Sequence, residues 1–540
     1  MSDQIAIRDI TTYPVIGCNP EERLRKQKVL VTITVTTDTS PSLDLDDLKV
    51  CCNYATIYQE VMRFTNNSSY LTLESLANNL AQKVLLLSAK IAQVTVCLKK
   101  VEALSLADYP EITITRRNPQ PVFNGPRGLN SRTDHSDVYL GLGSNMGDRL
   151  ANITNAIKLL EFKDIGILDS SNMYMSPDFY GPENPYFYNC VIKVDTRLSP
   201  LELLATVKEI ERELGRTSAT REPRPIDIDI LWFRGLIMDT DLLSIPHRYM
   251  LQRPFVLCPL QDIIGGNEVM EGCCRILPLK NGRYIDLSKV FIFNVLNATP
   301  DSFSGDGQLG TPVPELDPDI TTIIDIGGES TRPGHTEVEP DREIWRVESF
   351  SDTLTGRIVS VDTRKAVVAE HFIHQGLADI INDVSGLKYD PEMKDIVKRH
   401  GIPVVCTHTT GTLSDFYQYL LKTGIFRWNI IVDPGFGVSK SFQSSVRLWS
   451  LDQIDHSFTH IVSHSRKGHV SKMIPEVSDP DIELDNLDLA SVILATVANC
   501  HGIKGFRTHN YHKAKIMRMI LNLIGSCKVD AGNILSETCS

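Results

Sequence analysis

The chain has 540 residues, 42% hydrophobic and 23% charged, a composition typical of globular protein and a length typical of three or four domains. Its net charge of −12, from 55 basic and 67 acidic residues, argues against nucleic-acid binding. No apolar run is long enough to span a membrane. The twelve cysteines form no CxxC pattern, which favours free thiols over disulfides or zinc. The N-terminal MSDQIAIRD shows no targeting pattern, so we expect a cytoplasmic protein, with mitochondrial association left open.

The first predicted domain covers residues 1–117 and is of the α+β type. Residues 29–37 alternate apolar side chains with threonine, as a half-buried strand does. Residues 45–65 and 72–89 have helical spacing, and two further strands are predicted at 94–100 and 111–116. Residues 118–136 are rich in proline, glycine and polar side chains, which predicts a linker.

Four stretches of this domain, IGCNPEER, CNYA, LTLES and LKKVEA, resemble dihydroneopterin aldolase. Glu22, Tyr54, Leu73 and Glu74 would then hold the pterin, and Lys100 would be the catalytic base. The chemistry is suitable, because a carboxylate accepts paired N–H donors and a lysine can move protons in a retro-aldol step. The resembled family builds its pocket between subunits, so a homo-oligomer is expected.

The second predicted domain covers residues 137–264, and its strongest signal is a pair of acids. Asp227 and Asp229 lie two residues apart on an apolar strand, so both carboxylates face the same side. Two acids without a neutralising partner in the sequence would be costly, and Mg²⁺ resolves this because it binds carboxylate and phosphate oxygens. The alternative is a solvated pair of acids on an edge strand, but the surrounding arginines suit a triphosphate.

Stretches such as LGLGSNMGDR, PRPIDIDIL and RPFVLCPL resemble 6-hydroxymethyl-7,8-dihydropterin pyrophosphokinase, which has a ferredoxin-like α+β fold. The resemblance implies that Asp227 and Asp229 bind Mg²⁺, with ATP as co-substrate, and that Arg216 and Arg224 stabilise the transferred group. It further implies these binding residues: His247 and Arg253 for ATP, and Phe187, Asn189 and Phe255 for the pterin.

The third predicted domain covers residues 288–540. Eight short apolar strands alternate with mostly helical connections, and polar residues collect at the strand ends. This pattern predicts a TIM barrel with its site at the carboxyl ends of the strands, and a doubly wound sheet is the alternative. Within it, TTIIDIGGESTRPG shows a buried strand, a glycine turn and a polar loop suited to an anion.

Seven stretches here, among them NVLNATPDSFS, IIDIGGESTRPG, SHSRKG and FRTHN, resemble dihydropteroate synthase. The resemblance implies that Asn297 holds Mg²⁺ with pyrophosphate and that Lys467 is both a pterin contact and a catalytic residue. The other implied binding residues are Asp362, Asn382 and Asp433 for the pterin, and Thr331, Arg332, Ser465, Arg507 and His509 for pyrophosphate or p-aminobenzoate.

Together the three resemblances predict a chain similar to the fungal trifunctional proteins of folate biosynthesis. Its partners would be pterins, ATP and p-aminobenzoate, and self-association would involve the first domain and the barrel. The alternative is a partly degenerate paralogue that acts as a pterin-binding scaffold with one or more dead sites. The retained polar residues favour the enzyme, whereas the short, proline-rich connection at residues 307–321 favours the scaffold.

Overall fold

The structure is a computed structural model, and its contacts divide the chain into two compact units: one holds the N-terminal domain, and the other holds the middle domain and the barrel. It describes residues 3–37, 53–85, 87, 91–101, 103, 109–117, 138–178, 184–217, 222–240, 242–250, 252–265, 272–298, 322–329, 336–436, 443–444, 451–473 and 483–534. Within these ranges, no helix is long and apolar enough to cross a bilayer.

The N-terminal domain is an antiparallel four-stranded sheet, in the order β1-β3-β5-β6, packed against two helices. Its elements are β1 (Asp3–Thr12), β2 (Val15–Ile16), α1 (Pro20–Arg23), β3 (Val29–Thr37), α2 (Tyr54–Asn66), β4 (Ser69–Tyr70), α3 (Leu73–Leu85), β5 (Ile91–Lys100) and β6 (Glu111–Arg117). Every second residue of β3 is buried, and Val31 shares a core with Leu76 and Leu80 of α3. The predicted α+β order is therefore confirmed. The part of the first predicted helix before residue 53, and the predicted linker, lie outside the described residues.

The middle domain has an antiparallel sheet of the order β11-β7-β10-β9-β14-β15, with β8 also paired to β10. Its elements are β7 (Val138–Ser144), α4 (Arg149–Phe162), β8 (Gly166–Ser170), β9 (Met173–Ser176), β10 (Phe187–Asp195), α5 (Pro200–Glu213), β11 (Asp227–Phe233), β12 (Met238–Asp239), β13 (Ser244–Ile245), α6 (Pro254–Ile264), β14 (Cys274–Pro278) and β15 (Tyr284–Asp286). Serine at position 199 caps α5 in a capping box, and proline occupies its first turn.

The hairpin of β14 and β15 lies beyond residue 264, where the sequence predicted the domain to end. On one edge it extends the sheet through β9. Its apolar side chains, Leu277 and Ile285, share a buried cluster with Phe291 and Phe293 of the barrel. The hairpin therefore belongs to both hydrophobic cores.

The C-terminal domain is a closed barrel of eight parallel strands, β16 to β23, in sequence order. Its elements are β16 (Phe291–Asn297), β17 (Thr322–Gly327), α7 (Pro340–Glu348), α8 (Ser351–Leu354), β18 (Ile358–Asp362), α9 (Ala366–His374), β19 (Ile380–Asp383), α10 (Pro391–His400), β20 (Val404–Thr407), α11 (Leu413–Leu421), β21 (Ile430–Asp433), β22 (Thr459–Ser463), α12 (Gly468–Met473), α13 (Glu483–Cys500), β23 (Gly505–Thr508) and α14 (Tyr511–Ile534). The predicted TIM barrel is confirmed, and the doubly wound alternative is wrong. The connection after β16, residues 299–321, lies outside the described residues.

Candidate active sites

In the N-terminal domain, Lys100 and Glu22 form a close ion pair. Lys100 ends β5 and is only 8% exposed. Its Nζ lies 2.5 Å from Oε1 of Glu22 and donates to the carbonyl oxygen of Ile16 at 3.1 Å. The hydrogen bond from Lys100, with a second from the backbone N–H of Asn19, lowers the pKa of Glu22. A carboxylate held ionised beside a sheltered ammonium group suits proton movement at a bound polar substrate.

The other predicted residues of this domain lie apart from that pair. Tyr54 begins α2 and is 65% exposed, and Glu74, next to Leu73 in the first turn of α3, is also exposed. Across the described residues, no hydrogen bond or ion pair joins Tyr54 or Glu74 to Lys100 or Glu22. Two of the predicted residues thus meet within one chain, while Tyr54 and Glu74 face outward.

In the middle domain, β11 carries Asp227 and Asp229 on one face, as the alternation predicted. Asp229 faces His247, whose Nε2 is 4.0 Å from Oδ2 of the carboxylate. Partial burial and the adjacent Asp227 raise the pKa of Asp229 to about 6. The two carboxylates provide the hard oxygen donors that Mg²⁺ prefers, so this pair of residues fits the ion.

The expectation that both acids lack a neutralising partner is wrong for Asp227. NH1 of Arg216 lies 2.5 Å from its Oδ1, and NH2 of Arg224 lies 2.6 Å from its Oδ2. Burial acts to raise the pKa of Asp227, but Arg224 and Arg216 outweigh it and lower the pKa. The two arginines predicted to contact the transferred group are therefore held on an acid in this structure, within reach of the same site.

The predicted ring and ATP contacts lie around this pair. Asn189, 5% exposed, donates to Oγ of Ser176 at 3.1 Å, and the guanidinium of Arg224 lies 5.2 Å from the ring centre of Phe187. Arg253 lies 5.7 Å from the ring centre of Phe255. In the described residues no aromatic contact joins Phe187 to Phe255, so the predicted sandwich around a pterin stays a prediction.

Three residues that support this site were not predicted from the sequence. Oδ1 of buried Asn145 accepts a hydrogen bond from the backbone N–H of Arg224 at 2.8 Å. This bond holds the backbone of Arg224 just before β11 begins. Buried Glu211 lies 2.7 Å from NH1 of Arg216. A Cβ at Gly143 would lie 3.2 Å from Oδ1 of Asn189, so the glycine keeps space beside the site. The GLGSN motif was noticed in the sequence, but what Gly143 and Asn145 contact follows only from the pairing of β7 with β10 and β11.

In the barrel, one arginine joins two acids at the carboxyl ends of the strands. Nε of Arg507 lies 2.6 Å from Oδ2 of Asp325, and its NH2 lies 2.6 Å from Oδ2 of Asp362. Asn382 donates to both oxygens of Asp325 at 3.3 and 3.1 Å. Burial raises the pKa of Asp362 to about 7; Arg507 opposes this rise, and the fully buried Asp325 adds to it. Asp325 is one of the polar residues at the strand ends on which the barrel prediction rested, but no binding role was predicted for it.

The other predicted barrel residues that the structure describes lie on the same face. Nζ of Lys467 donates to the carbonyl oxygen of Phe436 at 3.1 Å, and Nδ1 of His509 lies 3.2 Å from Oγ of Ser465. Asp433 accepts the backbone N–H of Gly435 at 2.9 Å. Asn297 ends β16 and is exposed. Thr331 and Arg332 lie outside the described residues, so their predicted roles stay predictions.

The chain bends at Gly328, directly after Gly327 ends β17, and Gly328 is also needed for close packing. A Cβ at Gly328 would lie 2.7 Å from the carbonyl oxygen of Glu343, so the glycine permits close backbone approach. The next residue, Glu329, pairs with Lys365 and with Arg364, whose NH2 is 2.8 Å from Oε1. Lys365 also lies 2.6 Å from Oε2 of Glu343. This buried network holds Glu329, two residues before Thr331 in the sequence.

Three family models match the chain in series. Residues 5–115 match dihydroneopterin aldolase, residues 139–265 match 7,8-dihydro-6-hydroxymethylpterin-pyrophosphokinase, and residues 293–509 match pterin binding enzyme. The matched segments correspond to the three structural domains and to the three resemblances.

Curated relatives align with more than half of the chain. The folic acid synthesis protein fol1 of Pneumocystis carinii is 33% identical over 502 residues, covering 83% of this chain and 68% of that protein. The folic acid synthesis protein FOL1 of Dictyostelium discoideum is 30% identical over 607 residues, covering 87% and 90%. The mitochondrial folate synthesis bifunctional protein of Pisum sativum is 32% identical over 381 residues, covering 58% and 74%.

Solved structures share the fold of most of the chain. The HPPK-DHPS of Plasmodium falciparum, solved with pterin and p-hydroxybenzoate, superposes with a TM-score of 0.53 at 20% identity, covering 72% of this chain and 97% of that one.

Proposed function

Because the chain belongs to the family of the folic acid synthesis proteins, we propose that the side chains described above carry its three reactions at separate sites. The protein is a trifunctional enzyme of folate biosynthesis, with dihydroneopterin aldolase, pyrophosphokinase and dihydropteroate synthase activities. The observation that carries the residue-level proposal is that each domain brings opposite charges together: Lys100 with Glu22, Asp227 with two arginines, and Arg507 with two acids.

In the aldolase domain, Lys100 moves protons during cleavage of dihydroneopterin to 6-hydroxymethyl-7,8-dihydropterin and glycolaldehyde. Glu22 accepts N–H donors of the pterin, as an ionised carboxylate does well. Nζ of Lys100 is sheltered and already held at two oxygens, so little reorganisation is needed for it to act on a bound substrate.

In the kinase domain, Asp227 and Asp229 would hold Mg²⁺, and ATP would be the co-substrate. The ion, when bound, would offset charge on the phosphates of ATP. When Mg²⁺ binds Asp227, the guanidinium groups of Arg216 and Arg224 would be released from this carboxylate and could bind phosphate oxygens. Guanidinium groups suit phosphate oxygens by their paired N–H donors. His247 and Arg253 would contact ATP, and Phe187, Asn189 and Phe255 would hold the pterin.

In the barrel, p-aminobenzoate displaces pyrophosphate from the pterin ester to give 7,8-dihydropteroate. Asp362, Asn382 and Asp433 would bind the pterin. Arg507 holds Asp362 by a direct ion pair and holds Asn382 through Asp325. Lys467 would also contact the pterin, as a catalytic residue. Ser465 and His509 would contact pyrophosphate or p-aminobenzoate, and Asn297 would hold a Mg²⁺ ion that offsets charge at the leaving group. Oxygen donors at these strand ends fit that ion.

Two single substitutions test the assignment of sites. We expect Lys100→Ala to remove aldol cleavage and Lys467→Ala to remove condensation, each by more than about 100-fold, since general acid–base catalysis alone contributes 10²–10⁴-fold. Each variant should leave the other two reactions at wild-type rates when their substrates are supplied directly. Lys99→Ala and Lys472→Ala, at nearby lysines, are the matched controls and should retain all three reactions. If wild-type protein itself lacks one reaction, that domain is a dead site, as the alternative of a pterin-binding scaffold predicts.

We also propose that the chain self-associates, and that the aldolase site is completed by a second copy. The support is that Tyr54 and Glu74 face outward while Lys100 and Glu22 meet within one chain. An exposed apolar strip on α13 and α14 of the barrel is a second surface that a copy of this chain would cover. It consists of Leu489, Ile493, Val497, Ile516, Met519, Ile520 and Leu523.

Subunit mixing tests this arrangement. Lys100→Ala and Glu74→Ala chains are each expected to be inactive in aldol cleavage, but co-expression should restore activity at about a quarter of the sites by random pairing. The matched control is co-expression of Lys100→Ala with Glu22→Ala. Those residues meet in one chain, so every mixed site stays defective. Light scattering should show more than one chain per particle. A monomer that cleaves dihydroneopterin would contradict the proposal.

We place the enzyme in the cytoplasm, where thiols stay reduced. The support is that the described cysteines are free thiols, including buried Cys190 and Cys406. The pea relative is named as mitochondrial, and fractionation of cells that express the tagged chain distinguishes the two locations.

A further inference from the structure

Two helices of the barrel's outer layer bring a carboxylate and two imidazoles together. Glu370 and His374 are one turn apart on α9, and His400 is the last residue of α10. Nε2 of His374 and Nε2 of His400 each lie 3.8 Å from Oε1 of Glu370. The three ligand atoms lie within 4.8 Å of one another, and the two rings meet edge to face at 5.1 Å.

The nitrogen of His400 that faces this cluster is shielded from solvent. Within the described part of the chain, Nε2 of His400 makes no hydrogen bond. Its 3.8 Å separation from Oε1 of Glu370 is too long for one. A buried ring nitrogen without a hydrogen bond costs free energy, which a bound ligand would recover. Burial, with His374 and Lys280 nearby, lowers the pKa of His400.

The backbone also favours a cation here. His374 and His400 are the final residues of α9 and α10, where the partial negative charge of the last carbonyls is concentrated. Each helix runs antiparallel to the strand before it, so these ends lie away from the strand ends that carry the synthase site. None of the three proposed reactions uses these residues.

We propose that Glu370, His374 and His400 form a binding site for a divalent transition-metal ion, for which Zn²⁺ is the best fit. Imidazole nitrogen and carboxylate oxygen are zinc ligands, and three of them with an open position make a common coordination set. Ligand atoms of tetrahedral zinc lie about 3.3 Å apart, so each imidazole nitrogen must move about half an ångström closer to Oε1 of Glu370. The two imidazole nitrogens, which lie within 4.8 Å of each other, must also approach to about that separation. Mg²⁺ prefers oxygen ligands alone and does not fit. A bound ion would join the ends of α9 and α10.

Arg399 competes for the same carboxylate. Its NH1 donates to Oε1 of Glu370 at 2.8 Å, and its side chain is 62% exposed. A metal ion and the guanidinium cannot both use that oxygen fully, so removal of the guanidinium should favour the metal. Arg399→Gln is therefore expected to bind Zn²⁺ about 3- to 10-fold more tightly than wild type, in line with the loss of one nearby positive charge near a protein surface.

Calorimetric titration of the full-length chain with Zn²⁺, in excess Mg²⁺ to occupy oxygen-only sites, tests the proposal. Wild type should bind one equivalent more than His374→Ala or His400→Ala. His374 is 67% exposed, so its replacement leaves the fold intact. His371→Ala is the matched control on the same helix, since its ring pairs with Glu348 instead. It should bind as many equivalents as wild type. Equal stoichiometry in wild type and in both site variants would overturn the proposal.

Discussion

Replacing Asp229 with alanine is expected to abolish pyrophosphoryl transfer. Its partner acid, Asp227, already contacts two arginines, so Asp229 is the carboxylate that a metal ion reaches first. Loss of an outer partner of a metal ligand typically costs 10–100-fold, and loss of a ligand itself should exceed about 100-fold. The measurement is AMP release from ATP in the presence of 6-hydroxymethyl-7,8-dihydropterin.

Asp195→Ala is the matched control for this substitution. Asp195 is an exposed aspartate at the end of β10 of the same sheet, so its removal should leave AMP release unchanged. Aldol cleavage should continue in both variants. Asp229→Ala protein that still releases AMP at a wild-type rate would rule out Asp229 as an essential metal ligand.

Replacing Arg507 with methionine is expected both to stop condensation and to loosen the barrel. The change leaves Asp325 and Asp362 buried without their shared cation. Breaking a buried ion pair from one side typically costs about 3–5 kcal/mol, against a typical domain stability of about 5–15 kcal/mol. Hydrogen exchange in barrel peptides should therefore become faster, while exchange in the N-terminal domain stays unchanged.

A double variant separates the structural effect from the chemical one. Adding Asp325→Asn to Arg507→Met removes one of the two buried charges, so exchange in the barrel should slow again. Condensation should not return, because the guanidinium is still missing. Arg342→Met, at an exposed arginine of α7, is the matched control. Unchanged exchange in the single variant would contradict the role given to Arg507.

The sequence predicted those features of the fold that depend on the pattern of apolar and polar residues along a single strand or helix. Alternation in β3 and β11 gave the buried faces of two sheets, and apolar strands ending in polar residues gave the barrel. The motifs also named most of the side chains that the structure places near one another, such as Lys100 with Glu22. These signals are short-range, so a single sequence contains them.

What the sequence did not predict depends on contacts between distant residues. Arg507 and Asp325 are 182 positions apart, and only closure of the barrel brings them together. The support of Arg224 by Asn145 spans 79 positions across two strands. The hairpin at 274–286 packs against both the middle domain and the barrel, and no local periodicity reveals two partners.

The most direct test of three reactions in one chain is a single incubation. Purified protein is given dihydroneopterin, ATP, Mg²⁺ and p-aminobenzoate, and the pterins are followed by mass spectrometry. We predict formation of 7,8-dihydropteroate, with accumulation of the pterin ester in Lys467→Ala, of 6-hydroxymethyl-7,8-dihydropterin in Asp229→Ala, and of unreacted dihydroneopterin in Lys100→Ala. Wild-type protein that stops at any of these three compounds would contradict the account.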